Sequence, residues 1–216
     1  MKVVVLAATG KAGRSVLSEL ILRGHDVVAV ARSPQKLPSS INAIKDDLSN
    51  ESSIAEIIEG ADAVVTAYGP STDDPRYFTD ETYTDELVRV TQRVIAAVRK
   101  ARVPRLLMVG GAGSLWFSPG VTVLNSGHWP DNFKPIAISH TRAFAALRES
   151  DVNWTYFSPP MLIAPGVRTG KFRTGNDNLI VDKNGMAWVS FEDYAIALVD
   201  ELEKPAHERA RFTVGY

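Results

Sequence analysis

The chain has 216 residues, 45% of them hydrophobic, with 24 Lys and Arg against 25 Asp and Glu for a formal net charge of −1. That length suits one domain with a single core, and the charge balance leaves no footprint for nucleic acid or an anionic membrane. No run approaches the roughly 18 apolar residues of a membrane span, the first residues read as a strand and not a leader, and a cytoplasmic location is expected; the lack of cysteine excludes disulfides and thiolate chemistry.

Strands and helices alternate at the spacing of a parallel sheet. Lys2 to Ala7 is an apolar run that predicts a buried strand, Ala8-Thr9-Gly10-Lys11-Ala12-Gly13 is a turn of small residues, and Arg14 to Leu20 opens a helix. Asp26 to Ala31 is the second strand, and Ile41 to Asp47 predicts a short third one. Ser52 to Glu59 reads as a helix capped by Gly60, and Asp62 to Ala67 as the fourth strand. Leu87, Val88, Val90, Val94, Ile95 and Val98 recur at helical spacing within Thr84 to Ala101, and Pro104 precedes a fifth strand, Arg105 to Val109. A helix over Ser139 to Ser150 and a sixth strand over Asn153 to Phe157 follow. With no repeat and no low-complexity linker, residues 1–216 read as one α/β domain, a Rossmann-type doubly wound parallel sheet.

The order strand, glycine turn, helix aims unpaired N–H groups at an anion. The turn follows G-x-G-x-x-G with Ala8 in the first place, and the strand from Asp26 completes the unit within about 30 residues; the alternative is a tight turn made of small residues for packing. An NAD site usually carries an acid about 20 residues past the glycines to hold the ribose 2′-hydroxyl. This chain has Arg32 and Ser33 there, and Lys36 nearby. A guanidinium fork and a hydroxyl suit a 2′-phosphate, which predicts NADP(H) in preference to NAD(H); otherwise Arg32 and Lys36 are solvated loop charges.

Ligands of open α/β sheets bind outside the carboxyl ends of the strands. The loops Asp47-Leu48, Ala67-Tyr68-Gly69-Pro70 and Gly110-Gly111-Ala112-Gly113-Ser114 are therefore expected to complete the site, with Gly10 serving the pyrophosphate and Gly13 the helix packing. Gly69 and Gly110 to Gly113 would let backbone lie close to ribose and nicotinamide. Plain turns are the alternative for the later glycines, and a helix-entry role is equally open to Asp47. No spacing of His, Asp and Glu points to a metal.

Ala7-Ala8-Thr9-Gly10-Lys11-Ala12-Gly13, Arg32-Ser33, Asp47-Leu48, Ala67-Tyr68-Gly69, Gly110 to Leu115, Trp154 to Pro160, Pro165 to Gly170 and Glu192-Asp193-Tyr194-Ala195 together resemble the atypical short-chain dehydrogenase/reductases of the NmrA-like type. Within it the chain is most similar to the NAD(P)H-flavin reductase group related to biliverdin reductase B. The resemblance implies about seven parallel strands and a small C-terminal extension on the substrate side. It places cofactor contacts on Thr9, Gly10, Lys11, Ala12, Arg32, Ser33, Asp47, Leu48, Ala67, Tyr68, Gly69, Gly111 and the Ser158-Pro159-Pro160 corner. Ordinary members carry Tyr-x-x-x-Lys on the helix after the fifth strand, but here Ile136 and His140 stand in those places, and Gly111 replaces the usual serine, with Ser114 three residues on.

His140 and Ser114 are then the candidate catalytic residues. A neutral imidazole can hydrogen-bond ribose and an imidazolium can donate a proton; a helix-start histidine that merely packs is the alternative. Trp116, Phe117 and Trp129, in the long segment that also holds His128 and Phe133, are candidates for stacking a flat substrate ring, or else pack a structured lid. The expected function is an NADPH-dependent reductase acting on a small planar acceptor such as a flavin or quinone, as monomer or homodimer. The alternative is a non-catalytic NAD(P)(H) sensor that acts through a protein partner.

Overall fold

Val3, Val4, Val5 and Leu6 are all fully buried, because their strand runs through the middle of a sheet covered on both faces. The computed structural model describes residues 1–216. Its first half contains β1 (Lys2–Leu6), α1 (Lys11–Leu22), β2 (Asp26–Ala31), β3 (Asn42–Lys45), α2 (Glu51–Ile58) and β4 (Ala63–Thr66), then α3 (Glu81–Thr84), α4 (Glu86–Ala101) and β5 (Leu106–Val109). A hairpin of β6 (Trp116–Ser118) and β7 (Val121–Thr122) leads to α5 (Lys134–Arg148) and β8 (Trp154–Ser158). The C-terminal part holds β9 (Leu162–Ala164), β10 (Arg173–Gly175), β11 (Trp188–Ser190), α6 (Phe191–Glu203) and β12 (Ala210–Gly215).

The main sheet has the order β10-β12-β8-β5-β4-β1-β2-β3. Seven of its strands are parallel, and only β10, at the edge, runs antiparallel to its neighbour β12. The winding reverses between β1 and β4, which are paired neighbours although α1, β2, β3 and α2 separate them in the chain. Alternating side chains feed two cores. Val4, Leu6, Val64, Leu106 and Tyr156 pack under α2, α4 and α5, whereas Val3, Val5, Val65, Leu107 and Phe157 pack under α1 and α6. Phe157 lies flat between Tyr194 and Phe212, with ring centroids 4.0 Å apart on each side.

The six expected strands are present, each within two residues of its expected ends. The helix expected from Ser139 starts at Lys134 instead, because Pro135 in the first turn gives up an N–H that has no helical partner there. The patterning did not reveal α6 or β12. Arg211 interrupts β12, yet it is only 8% exposed, since its guanidinium is bonded by Asp177 and by the carbonyl and hydroxyl of Ser114.

The C-terminal extension is clasped by carboxylates. Asp193 accepts the backbone N–H groups of Thr169 and Gly170 at 2.8 Å and the hydroxyl of Tyr216 at 2.7 Å. Burial alone would raise its pKa, but these donors and the Thr169 hydroxyl hold the carboxyl below the usual range. Glu19 on α1 receives both Arg23 and a two-pronged contact from Arg168 at 2.7 and 2.9 Å, which ties the segment after β9 to the helix that follows the glycine turn. No helix is long and apolar enough to cross a membrane.

The left-handed residue at the end of β1 is Ala7, with φ of 59°, one place before the alanine that occupies the first motif position. A side chain in that region costs about 1–2 kcal/mol, and glycine recovers this less its larger unfolded-state entropy. Ala7→Gly should therefore stabilise the fold by about 0.5–1 kcal/mol, seen as a rise of about 1–4 °C in Tm by differential scanning calorimetry.

Candidate functional site

The first turn of α1 is capped by backbone geometry alone. Gly10 is the N-cap, with φ of −68° and ψ of 165°; no side chain accepts from the turn and no acidic residue lies in it. Arg14 N–H donates to the Gly10 carbonyl at 2.8 Å, while the N–H groups of Lys11, Ala12 and Gly13 have no acceptor within the chain. Three unpaired donors at the positive end of a twelve-residue helix form an anion site. Gly13 is needed for packing, because a Cβ there would sit 2.6 Å from the Ala7 carbonyl oxygen. Gly10 faces open space, where a Cβ would make only an ordinary 3.5 Å contact with that same oxygen.

A crevice of about 480 Å³ opens beside this turn, at the carboxyl ends of β1 to β4. Ala7, Thr9, Gly10 and Lys11 form one wall, Ala31, Arg32, Asp46, Asp47 and Leu48 another, and Ala67 to Asp73 the third. Of the expected cofactor residues, Thr9, Gly10, Lys11, Arg32, Asp47, Leu48, Ala67, Tyr68 and Gly69 are thus brought together. Ser33 and Lys36 do not line it; Ser33 caps a short 3₁₀ turn over Pro34–Lys36, and the Lys36 carbonyl receives Arg14 at 3.4 Å. Arg14 also donates to the Thr9 carbonyl at 3.0 Å, so it braces the glycine turn against the loop after β2.

Arg32 is exposed on the crevice lip and has no hydrogen-bond or ion-pair partner in the protein. The acids near it have other engagements. Asp46 accepts the Leu48 N–H at 2.6 Å and the Ser53 hydroxyl at 2.5 Å, which holds Leu48 in the left-handed region at φ of 63°. Asp47 accepts the Ser49 N–H at 3.0 Å, and its hydrogen bonds to Ser49 keep its carboxyl below the usual range. Asn50, not Asp47, caps α2 by accepting from Ser52 and Ser53, so Asp47 is no helix cap and stays on the crevice wall.

Ala67 follows β4 and Gly110 follows β5 at the carboxyl edge of the sheet, next to Ser158 at the end of β8. Packing within the chain already requires the glycines here. A Cβ on Gly110 would meet the Tyr156 ring at 2.4 Å, on Gly111 the His140 Cγ at 2.7 Å, and on Gly113 the Ala137 methyl at 3.1 Å. His140 is thus brought against Gly111. Burial pushes its pKa down to about 4, which favours the uncharged, hydrogen-bonding form of the ring near neutral pH. Ile136, in the family's tyrosine place, is a core residue.

Ser114 does not line the crevice; its hydroxyl accepts from Arg211 at 2.8 Å and its carbonyl from the same guanidinium at 3.0 Å, a structural engagement. Ser158 is fully buried and its hydroxyl has no hydrogen-bond partner; its carbonyl receives the Thr213 hydroxyl at 2.9 Å, and neither it nor Pro159 and Pro160 lines the crevice. The three aromatics expected to stack a substrate do not converge. Trp116 lines a separate groove with Phe144, Trp154 and Arg211; Phe117 stacks on His128 at 4.8 Å; Trp129 packs on the small core of Ala112, Leu115 and Val123. Sequence reasoning passed over Arg14, Asp46, Tyr156 and the Ser71-Thr72-Asp73 wall, since none belongs to a short-range motif.

Residues 7–205 match the family described as NAD(P)H-binding. The chain belongs to that NAD(P)H-binding family. YwnB of Bacillus subtilis is 36% identical over 218 aligned positions, covering 99% of this chain and 98% of that protein. A candidate epimerase from Bacteroides thetaiotaomicron is 39% identical, with a TM-score of 0.88 and coverage of 100% and 96%. A candidate NADH-flavin reductase from Streptococcus pneumoniae is 31% identical, with a TM-score of 0.82 and coverage of 100% and 99%. The anticipated oxidoreductase class and Rossmann sheet thus hold for this NAD(P)H-binding protein.

Gly10→Val should fold with circular dichroism close to wild type yet lose dinucleotide binding in calorimetric titration, whereas Gly13→Ala should lose about 1–3 kcal/mol of stability through overpacking. His140 should titrate near pH 4 by NMR. Between that value and the ~6.5 of free histidine only the unfolded chain binds the proton, so its contribution is complete above about pH 6.5 and is lost as pH falls through about 4.

Proposed function

We propose that this protein is an NADPH-dependent reductase that delivers hydride to a small planar acceptor such as a flavin or quinone. The observation that carries the cofactor preference is Arg32, an unpaired guanidinium on the lip of a crevice that opens beside the three unpaired N–H groups at the start of α1. Lys11, Ala12 and Gly13 would hold the pyrophosphate, Arg32 the 2′-phosphate, Asp47, Leu48 and Tyr68 the adenosine side, and Gly111 with His140 the nicotinamide end. NADPH would supply the hydride when bound. The chain's own part is to bind, orient and exclude water.

The acceptor class follows from what the reacting end does not offer. Ile136 is buried, His140 is uncharged near neutral pH, and Tyr156 is sealed at 0% exposure. Epimerisation and ordinary carbonyl reduction both call for a side chain that moves a proton at the substrate oxygen. A flat, electron-poor ring needs only to stack at hydride distance.

NADPH should bind more tightly than NADH, and Arg32→Ala should remove most of the difference. Loss of charge-assisted bonds to phosphate should cost about 1.5–3 kcal/mol, roughly ten- to a hundredfold in Kd by calorimetric titration. Wild-type NADPH oxidation against a panel of flavins and quinones tests the reaction; silence with every acceptor would favour the non-catalytic sensor.

A further inference from the structure

We propose that Tyr156 is a positioning residue for His140: its hydroxyl holds the imidazole as the Nδ1–H tautomer, which presents Nε2 as a hydrogen-bond acceptor to the nicotinamide end of the dinucleotide. The inference rests on the NADPH reading of the crevice for its functional part, while the tautomer stands on geometry alone.

Tyr156 lies on β8 with 0% exposure. Its phenol oxygen accepts the Gly111 N–H at 3.0 Å, lies 3.2 Å from the His140 carbonyl and is 3.5 Å from His140 Nδ1. A phenol has a single proton to donate. The carbonyl is the nearer of the two acceptors and takes it. One lone pair of the phenol is then used by Gly111, and the second faces Nδ1. A bare nitrogen there would set lone pair against lone pair, so the neutral ring carries its hydrogen on Nδ1, and Nε2 is left as an acceptor. A ribose hydroxyl is a donor of matching chemistry.

The surroundings prevent rearrangement. Phe144 stacks on the Tyr156 ring at 4.3 Å, and the other flank is Gly110, where a Cβ would overlap that ring at 2.4 Å. Gly111 has the same relation to the His140 ring, at 2.7 Å from Cγ. The two adjacent glycines therefore form a slot for the tyrosine–histidine pair. Burial also raises the phenol's pKa, so the hydroxyl keeps its proton throughout the working range.

Nitrogen-15 NMR of histidine-labelled wild type reads the tautomer without any assay or variant. The expected spectrum shows His140 protonated at Nδ1, with the Nε2 resonance moving on addition of NADPH; protonation at Nε2, or an Nε2 that NADPH does not perturb, overturns the proposal. Tyr156→Phe should give a tautomer mixture, Kd for NADPH within about threefold of wild type, unchanged KM for the acceptor, and kcat reduced about tenfold. His140→Ala with Tyr156→Phe should be no slower than His140→Ala alone, since one residue acts through the other. Additive losses would make Tyr156 a packing residue only. A wild type that turns over no acceptor would refute the reductase reading and leave the NMR result to decide the tautomer.

Discussion

The structure depends on one close approach: the start of α1 lies directly against the end of β1, with Gly13 where a Cβ would sit 2.6 Å from the Ala7 carbonyl. That approach lets the chain turn from strand to helix within four residues, and it requires Ala7 to accept a left-handed backbone at φ of 59°. The return is geometric. The helix axis is aimed at the crevice with three N–H groups unpaired, so an anion bound there meets fixed donors that need no rearrangement. Arg14 reinforces the same turn from outside by bridging the Thr9 and Lys36 carbonyls.

A period of two along the strands then divides labour between the two faces. On β8, Tyr156 points to the layer of α4 and α5 and Phe157 to the layer of α1 and α6. Phe157 is purely a core residue, stacked between two other rings. Tyr156 is equally buried but carries a hydroxyl, and burial obliges that hydroxyl to find partners. It finds them on Gly111 and His140, so a demand of the core reaches the end of the site where a reacting ring would sit.

Charge is distributed unevenly. Arg32 is an unpaired cation on the crevice lip, while the His140–Tyr156 pair, away from the crevice lining, is held neutral because burial lowers the His140 pKa and raises that of Tyr156. The ion pairs with buried members lie elsewhere: Arg105 with Glu201 at 3.0 Å, both buried, and buried Glu19 with Arg23 and the exposed Arg168. Pairs of this kind contribute little net stability because desolvation offsets the attraction. Their effect is positional, and Glu19–Arg168 in particular joins the C-terminal extension to the helix that begins at the anion site.

The parallel sheet, the glycine turn and the basic residue at the end of β2 were legible from the residues, because each is a local pattern: an apolar run, small residues in a row, and a charge at a set distance from both. Asn42–Lys45 and Trp154–Ser158 also announced themselves as strands. What lies at the reacting end was decided only by tertiary structure. Ser114 looked like a replacement hydroxyl until β12, a strand interrupted by an arginine, brought Arg211 onto it from 97 residues away. Trp116, Phe117 and Trp129 looked like one stacking surface until the hairpin turned them toward three different neighbours. Gly110 and Gly111 looked like room for a cofactor, and the fold also sets Tyr156 and His140 against them. In each case the deciding partner is distant in sequence, and a side chain's chemistry depends on the atoms that the fold sets beside it, which spacing along the chain does not encode.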